Sequence, residues 1–227
     1  MPNTLFTTND LVENPTSRVP VCLCLDTSGS MNDSNAINEL NDAIRLFCTS
    51  ILEDEVARYS AEISIVTFGD QARLMQDFIT IDESVAIPIL KAEGLTPMGE
   101  AVNIALDIME ERKKAYKNAG VDYFQPWLVL MTDGKPNGSQ DELERARART
   151  VNLVNSKKLT VFPIGIGDDA DMKTLKEFSP KRQPLKLKGL KFREFFEWLS
   201  KSVSSTSGSI PGEIVPLNND FSDWATL

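Results

Sequence analysis

Two stretches, Val21–Leu25 and Trp127–Met131, are apolar at every position, and each is followed within two residues by an aspartate: Asp26 opens Asp-Thr-Ser-Gly-Ser, and Asp133 sits in Thr-Asp-Gly. Five unbroken apolar residues are far too few to cross a membrane, but they suit strands buried on both faces of a parallel sheet. Between them the apolar period changes to that of a helix. Ile37, Leu40, Ile44, Phe47 and Ile51 recur three or four apart, which predicts an amphipathic helix packed on the sheet. Strands alternating with such helices require helices on both faces of a parallel core.

The rest of the chain continues this alternation. Ile63–Phe68 reads as a strand, Gly69-Asp70 as a turn and residues 71–80 as a more polar, antiparallel edge strand. Thr96-Pro97 opens a helix reaching about Ala119, with Thr as the cap and Pro at the first helical position. Ser139-Gln-Asp-Glu142 is a capping box for a helix through Val154. Leu159–Ile164 is the next buried strand, and Asp171–Phe178 a short helix. Leu185, Leu187 and Leu190 belong to an edge strand and the core, and Phe192, Phe195, Phe196, Leu199 and Val203 mark a final amphipathic helix.

The expected fold is therefore α/β and doubly wound, with a mainly parallel central sheet, one antiparallel edge strand and helices on both faces. At 227 residues the chain accommodates one such domain with a tail: a lead-in over 1–17, the domain over 18–204 and a tail over 205–227. Ser204–Ser209 reads as a linker. Beyond it, Ile210, Ile214, Val215, Leu217, Phe221 and Trp224 are too apolar for a spacer, so the tail is expected to fold back on its own domain.

Composition removes several functions. Thirty-three acidic against 24 basic residues give a net charge of −9, which disfavours nucleic acid. The absence of histidine removes Ser-His-Asp and Cys-His catalysis, imidazole metal ligation and histidine pH switching. The first twenty residues lack a basic start and an apolar core, so no signal peptide is expected and the cytoplasm is the predicted location. Cys22, Cys24 and Cys48 read as buried thiols, the first two on one side of a strand.

The chemistry concentrates at strand ends. Asp26, Ser28 and Ser30 stand at alternate positions after the first buried strand, where open parallel sheets present ligand sites. Thr96 begins a long helix, and Asp133 closes the Trp127–Thr132 strand at the same sheet edge. Together they form an all-oxygen set suited to a hard divalent ion, Mg²⁺ ahead of Mn²⁺ or Ca²⁺. If the hydroxyls bind directly and the carboxylates act partly through water, one position stays open for an external carboxylate.

Three other features admit competing readings. A strand-end Asp26 invites comparison with α/β phosphatases that use an aspartyl nucleophile, but the second acid such chemistry needs would stand at Ser28. Gly165-Ile-Gly167-Asp-Asp-Ala170 matches a dinucleotide fingerprint formally, yet it sits late in the strand order and carries acids where a pyrophosphate needs positive potential. Lys181, Arg182, Lys186, Lys188, Lys191 and Arg193 form a basic patch, either a solvated face or a docking surface for an acidic partner.

The segments DTSGS, TPMGE and TDG resemble the metal-ion-dependent adhesion site of von Willebrand factor A domains, and the resemblance extends over about residues 18–204. It implies Asp26, Ser28, Ser30, Thr96 and Asp133 as metal-site residues, every motif position being filled. Within that family, VARYSAEISIVTFG, YFQPWLVLMTDGKPNG, FPIGIG and SPKRQPLKLKGLKFREFFEWL are most similar to bacterial tellurium-resistance proteins of the TerY type and YegL-like relatives. That closer resemblance implies a non-enzymatic cytoplasmic adaptor in a stress or metal-resistance system. Its partners would be proteins presenting Asp or Glu to the metal, in that family often a protein kinase and a protein phosphatase.

Overall fold

The computed structural model describes residue 11 and residues 14–213, 215–217 and 220–226. Most of the 1–17 lead-in, and Ile214 of the tail, lie outside the described residues. Strand β1 (Val19–Asp26) leads through a 3₁₀ turn (Gly29–Asn35) into helix α1 (Ala36–Glu53). A short helix α2 (Ala57–Ser60) precedes the strands β2 (Ala61–Phe68) and β3 (Ala72–Thr80). Helix α3 (Met98–Ala119), strand β4 (Trp127–Thr132), helix α4 (Gln140–Asn155) and strand β5 (Thr160–Ile166) follow. Helix α5 (Met172–Phe178), strand β6 (Leu185–Leu187), helix α6 (Phe192–Ser207) and strand β7 (Ala225–Thr226) complete the chain.

The strands form one sheet in the order β3-β2-β1-β4-β5-β6-β7. The five inner strands are parallel, while β3 and β7 pair antiparallel at the two edges. One antiparallel edge was legible in the sequence; the second forms because residues 225–226 cover the otherwise open side of the three-residue β6.

Alternation along the inner strands divides the core into two layers. Val21, Leu23 and Leu25 of β1 and Val129 and Met131 of β4 face α1 and α6. Cys22 and Cys24, with Leu128 and Leu130, face α3, α4 and α5. All three cysteines are buried, and burial pushes the thiols of Cys22 and Cys48 up to about 12. They are core residues rather than thiolate ligands.

Helix ends show where sequence reading needs correction. Thr96 does not cap α3 through its side chain; Pro97 occupies the cap position, and Met98 N–H donates to the Thr96 carbonyl at 2.8 Å. Ser139 does cap α4, accepting from Glu142 N–H at 3.3 Å, but Ser139 N–H donates to Glu100 Oε1 at 2.8 Å rather than to Glu142. Ser204–Ser207 are the last turn of α6, not a linker. Ser202 and Thr206 return their hydroxyls to the carbonyls of Trp198 and Ser202 at 2.8 and 2.9 Å, which lets polar side chains stay helical and buried.

The tail lies against this helix. Trp224 is buried, with its ring 5.8 Å from Phe195, and Phe221 packs 5.5 Å from Trp198. Gly165 also finds its reason here: a Cβ at that position would sit 2.4 Å from Met172 Sδ, so close packing of α5 on β5 accounts for the glycine.

Candidate metal centre

Strand β1 has β2 on one side and β4 on the other, so the chain's connections leave it in opposite directions. Loops diverge at the carboxyl ends of β1 and β4, and the crevice between them is where a doubly wound sheet binds ligands. Asp26, Ser28, Ser30 and Asp133, four of the five oxygen-bearing side chains singled out in the sequence, are linked there by hydrogen bonds.

Asp26 is the last residue of β1 and is fully buried, not part of an exposed loop. Its Oδ1 accepts from Ser28 N–H at 2.8 Å and its Oδ2 from the Thr132 hydroxyl at 2.5 Å. The Ser28 and Ser30 hydroxyl oxygens are 3.0 Å apart, and Ser30 donates to Asp133 Oδ1 at 2.9 Å. A chain of oxygens thus runs from buried Asp26 and Ser28 to exposed Ser30 and half-buried Asp133.

Thr96 is buried beside them but is placed through its backbone. Its N–H donates to Asn137 Oδ1 at 2.6 Å, and its carbonyl accepts from Asn137 N–H at 3.1 Å. Gly29 N–H donates to Gly94 O at 3.1 Å, which ties the loop before Thr96 to the loop that carries Ser28 and Ser30. Among the described residues no hydrogen bond joins the Thr96 hydroxyl to the other four site residues.

The electrostatics are unbalanced. Burial, the main cause, pushes the Asp26 carboxyl up to about 6, and the nearby Asp133 charge adds to it against the hydrogen bonds from Ser28 and Thr132. Asp133 is also raised, first by burial, with Asp33 contributing repulsion. Among the described residues neither carboxylate forms an ion pair with a basic side chain. A divalent cation would supply the missing charge, and hydroxyls with two carboxylates are the donor set that a hard ion takes. Among the described residues no three His, Cys, Asp or Glu side chains converge as a metal site. A cation here would therefore rest largely on hydroxyls.

Thr132 and Asn137 were missed in the sequence. Thr132 was detectable as the residue before Asp133 at a strand end; Asn137, 41 residues from the threonine it holds, carried no local signal.

The basic patch is largely engaged within the chain. Lys186 pairs with Asp168 at 2.6 Å, Arg193 with Glu197 at 3.0 Å, and Lys181 donates to Val154 O at 3.0 Å. Arg182 lies over the Phe162 ring at 4.7 Å. Lys188 and Lys191 donate to the tail carbonyls of Ser222 and Asp223.

The family model of the von Willebrand factor type A domain matches residues 21–190. A calcium-activated chloride channel regulator 1 from Macaca mulatta is 32% identical over 123 residues, covering 52% of this chain but 12% of its own length. The chain thus spans a small part of that relative. A von Willebrand factor type A structure from Catenulispora acidiphila superposes with a TM-score of 0.65 at 20% identity, over 85% of this chain and 43% of its own. A manganese-loaded Plasmodium vivax TRAP protein gives a TM-score of 0.52 at 19% identity, over 73% and 64% of the two chains. No helix among the described residues is long and apolar enough to cross a membrane.

Proposed function

This chain belongs to the von Willebrand factor type A domain family, and from that premise we propose that it is a protein-binding module that engages its partner through a divalent cation. Asp26, Ser28, Ser30, Thr96 and Asp133 would hold the ion, Mg²⁺ ahead of Mn²⁺ or Ca²⁺. The cation would supply a Lewis-acidic position for an Asp or Glu of the partner. One observation carries this reading: two carboxylates and two serine hydroxyls converge at the switch point, and among the described residues no ion pair balances them. A related domain structure loaded with manganese supports the choice of a divalent ion.

Each residue has a separable role. Asp26, locked by Ser28 N–H and the Thr132 hydroxyl, would set the buried end of the site. Ser28 and Ser30 would offer neutral oxygens, so that the ion keeps enough positive character to attract an external carboxylate. Thr96, carried on a segment pinned by Asn137, would complete the set from the side of α3. A catalytic use of Asp26 has less support, because Ser28 stands where a second acid is needed and is turned towards Ser30.

The four longer sequence stretches support a finer reading, as a cytoplasmic adaptor of the tellurium-resistance TerY type or its YegL-like relatives in a bacterial stress system. Its partners would then include a protein kinase and a protein phosphatase. The basic residues from Lys181 to Arg193 that remain solvent-facing would form a secondary contact.

Isothermal titration with Mg²⁺ tests the site. Saturable binding to the wild type, lost in Asp26→Asn and weakened in Ser28→Ala and Thr96→Ala, is expected. Unchanged affinity in Asp26→Asn would refute the assignment. Co-purification of a co-expressed kinase or phosphatase partner that withstands excess EDTA would refute metal-bridged recognition.

A further inference from the structure

At the opposite end of the sheet from the candidate metal centre, where β4 and β5 begin, lies a cavity of about 680 Å³. Lys113, Lys117, Lys157, Lys158 and Arg182 line it. Among the described residues two acids share the lining, Glu110 and Glu213, and Glu110 is already paired with Lys113. Four cations therefore face one acid, on a chain whose acids outnumber its bases 33 to 24. A concave site lined by one sign of charge concentrates ions of the other.

The fold does not use these four charges itself. Arg182 is half-buried, with its guanidinium 4.7 Å from the centre of the Phe162 ring, and burial lowers it from its ordinary value. Among the described residues Arg182, Lys117, Lys157 and Lys158 form no ion pair. Lysines near a helix carboxyl end often serve its free carbonyls, but the end of α4 is already satisfied. The N–H groups of Ser156, Lys157 and Lys158 return to the carbonyls of Asn152, Val154 and Leu153, and Lys181 Nζ adds a bond to Val154 O at 3.0 Å. The ammonium groups of Lys157 and Lys158 are left for the cavity.

We propose that this cavity binds a nucleoside polyphosphate, with its phosphates met by Arg182, Lys117, Lys157 and Lys158. Four unpaired cations call for more than one phosphate, and the planar guanidinium matches phosphate oxygens two at a time. The rest of the lining suits a flat base: Tyr123, Phe124 and Trp127 come from the approach to β4 and its first residue, and Val215 and Leu217 of the tail add aliphatic surface. The volume lies within the roughly 300–1,000 Å³ of small-molecule sites. The glycine fingerprint at Gly165–Ala170 has no part in this, since it follows β5 at the other end of the sheet. The site is separate from the metal centre and does not depend on it.

The test is isothermal titration of ATP into the full chain at fixed salt in EDTA, which takes divalent ions away from the metal centre. Saturable binding is expected, at least tenfold tighter than that of inorganic triphosphate or of adenosine, because each of those carries half of the recognition. Lys157→Gln combined with Lys158→Gln should weaken ATP at least tenfold, and Arg182→Gln should do the same. Both lysines are exposed, so that pair leaves the core intact. Lys114→Gln combined with Lys201→Gln removes equal charge from exposed positions outside the cavity and should stay within twofold of wild type. No saturable binding, triphosphate or adenosine binding as tightly as ATP, binding that appears with Mg²⁺ alone, or an equal loss in the two lysine pairs would each overturn the proposal. The metal reading is tested by the Mg²⁺ titration above and stands or falls apart from these results.

Discussion

The two ends of the sheet treat buried charge in opposite ways. At the amino-terminal end of β2, Glu62 is fully buried and saturated: it accepts from Arg18 Nε at 3.0 Å, from Arg112 Nε and Nη2 at 2.6 and 2.7 Å, and from the Tyr116 hydroxyl. Arg18 spends its remaining donors on the carbonyls of Asn14, Thr16 and Tyr59. At the carboxyl end of β1, Asp26 is as deeply buried, accepts from Ser28 N–H and the Thr132 hydroxyl beside a second carboxylate, and makes no ion pair among the described residues. A buried charge without a counterion costs stability, and a fold retains one where something outside the chain supplies the balance. Glu62 thus marks an internal staple, whereas Asp26 is a buried acid with no ion pair among the described residues, which is what the proposed cation would balance.

The largest effect should come from breaking the balanced end. Glu62→Ala leaves two arginines with buried, unpaired guanidinium groups, and denaturant unfolding should show a loss of about 3–5 kcal/mol. Mg²⁺ affinity should be unchanged if the protein still folds. Removing residues 209–227, which spares α6, tests the tail: losing the burial of Trp224 and the partial burial of Phe221 should cost about 3 kcal/mol and lower the melting temperature. A constant melting temperature would show that the tail contributes nothing to its own domain.

The unbalanced end should respond with the opposite sign. Asp26→Asn keeps an oxygen for Ser28 N–H and removes the buried charge. It should stabilise the metal-free protein by up to about 3 kcal/mol at neutral pH, the equivalent of a carboxyl raised by roughly two units. Smallest of all, Ser139→Ala removes the α4 cap and should cost about 1 kcal/mol without touching either cluster.

What the sequence revealed and concealed follows the same division. Strands β1, β4 and β5 were legible because unbroken apolar runs ending at turn residues have few other uses, and the metal-site candidates stood directly after two of them. The end of α6 was not legible: Ser204 to Ser207 look like linker until Thr206 is seen to return its hydroxyl to Ser202 O and Ser204 to donate to Asp54. The Glu62 cluster was invisible for another reason. Arg18 and Glu62 are separated by 44 residues, and single charges in a sequence read as surface. Asp26 was recognised by its neighbours, but its burial, which creates the charge imbalance, appears only when β2 and β4 close around β1.

Thermal unfolding across pH, with and without Mg²⁺, tests directly whether Asp26 is an uncompensated buried acid. Burial pushes its carboxyl up from an ordinary 3.8 to about 6, so the folded state holds the proton more tightly than the unfolded state. In EDTA, the Asp26 contribution should be intact below about pH 4 and be lost as pH rises through 6. The wild type should therefore fall in stability relative to Asp26→Asn over that window, and saturating Mg²⁺ should restore it at pH 7 in the wild type alone. If the two proteins run parallel from pH 4 to 7, and Mg²⁺ moves neither, the carboxyl end of β1 is not a cation site.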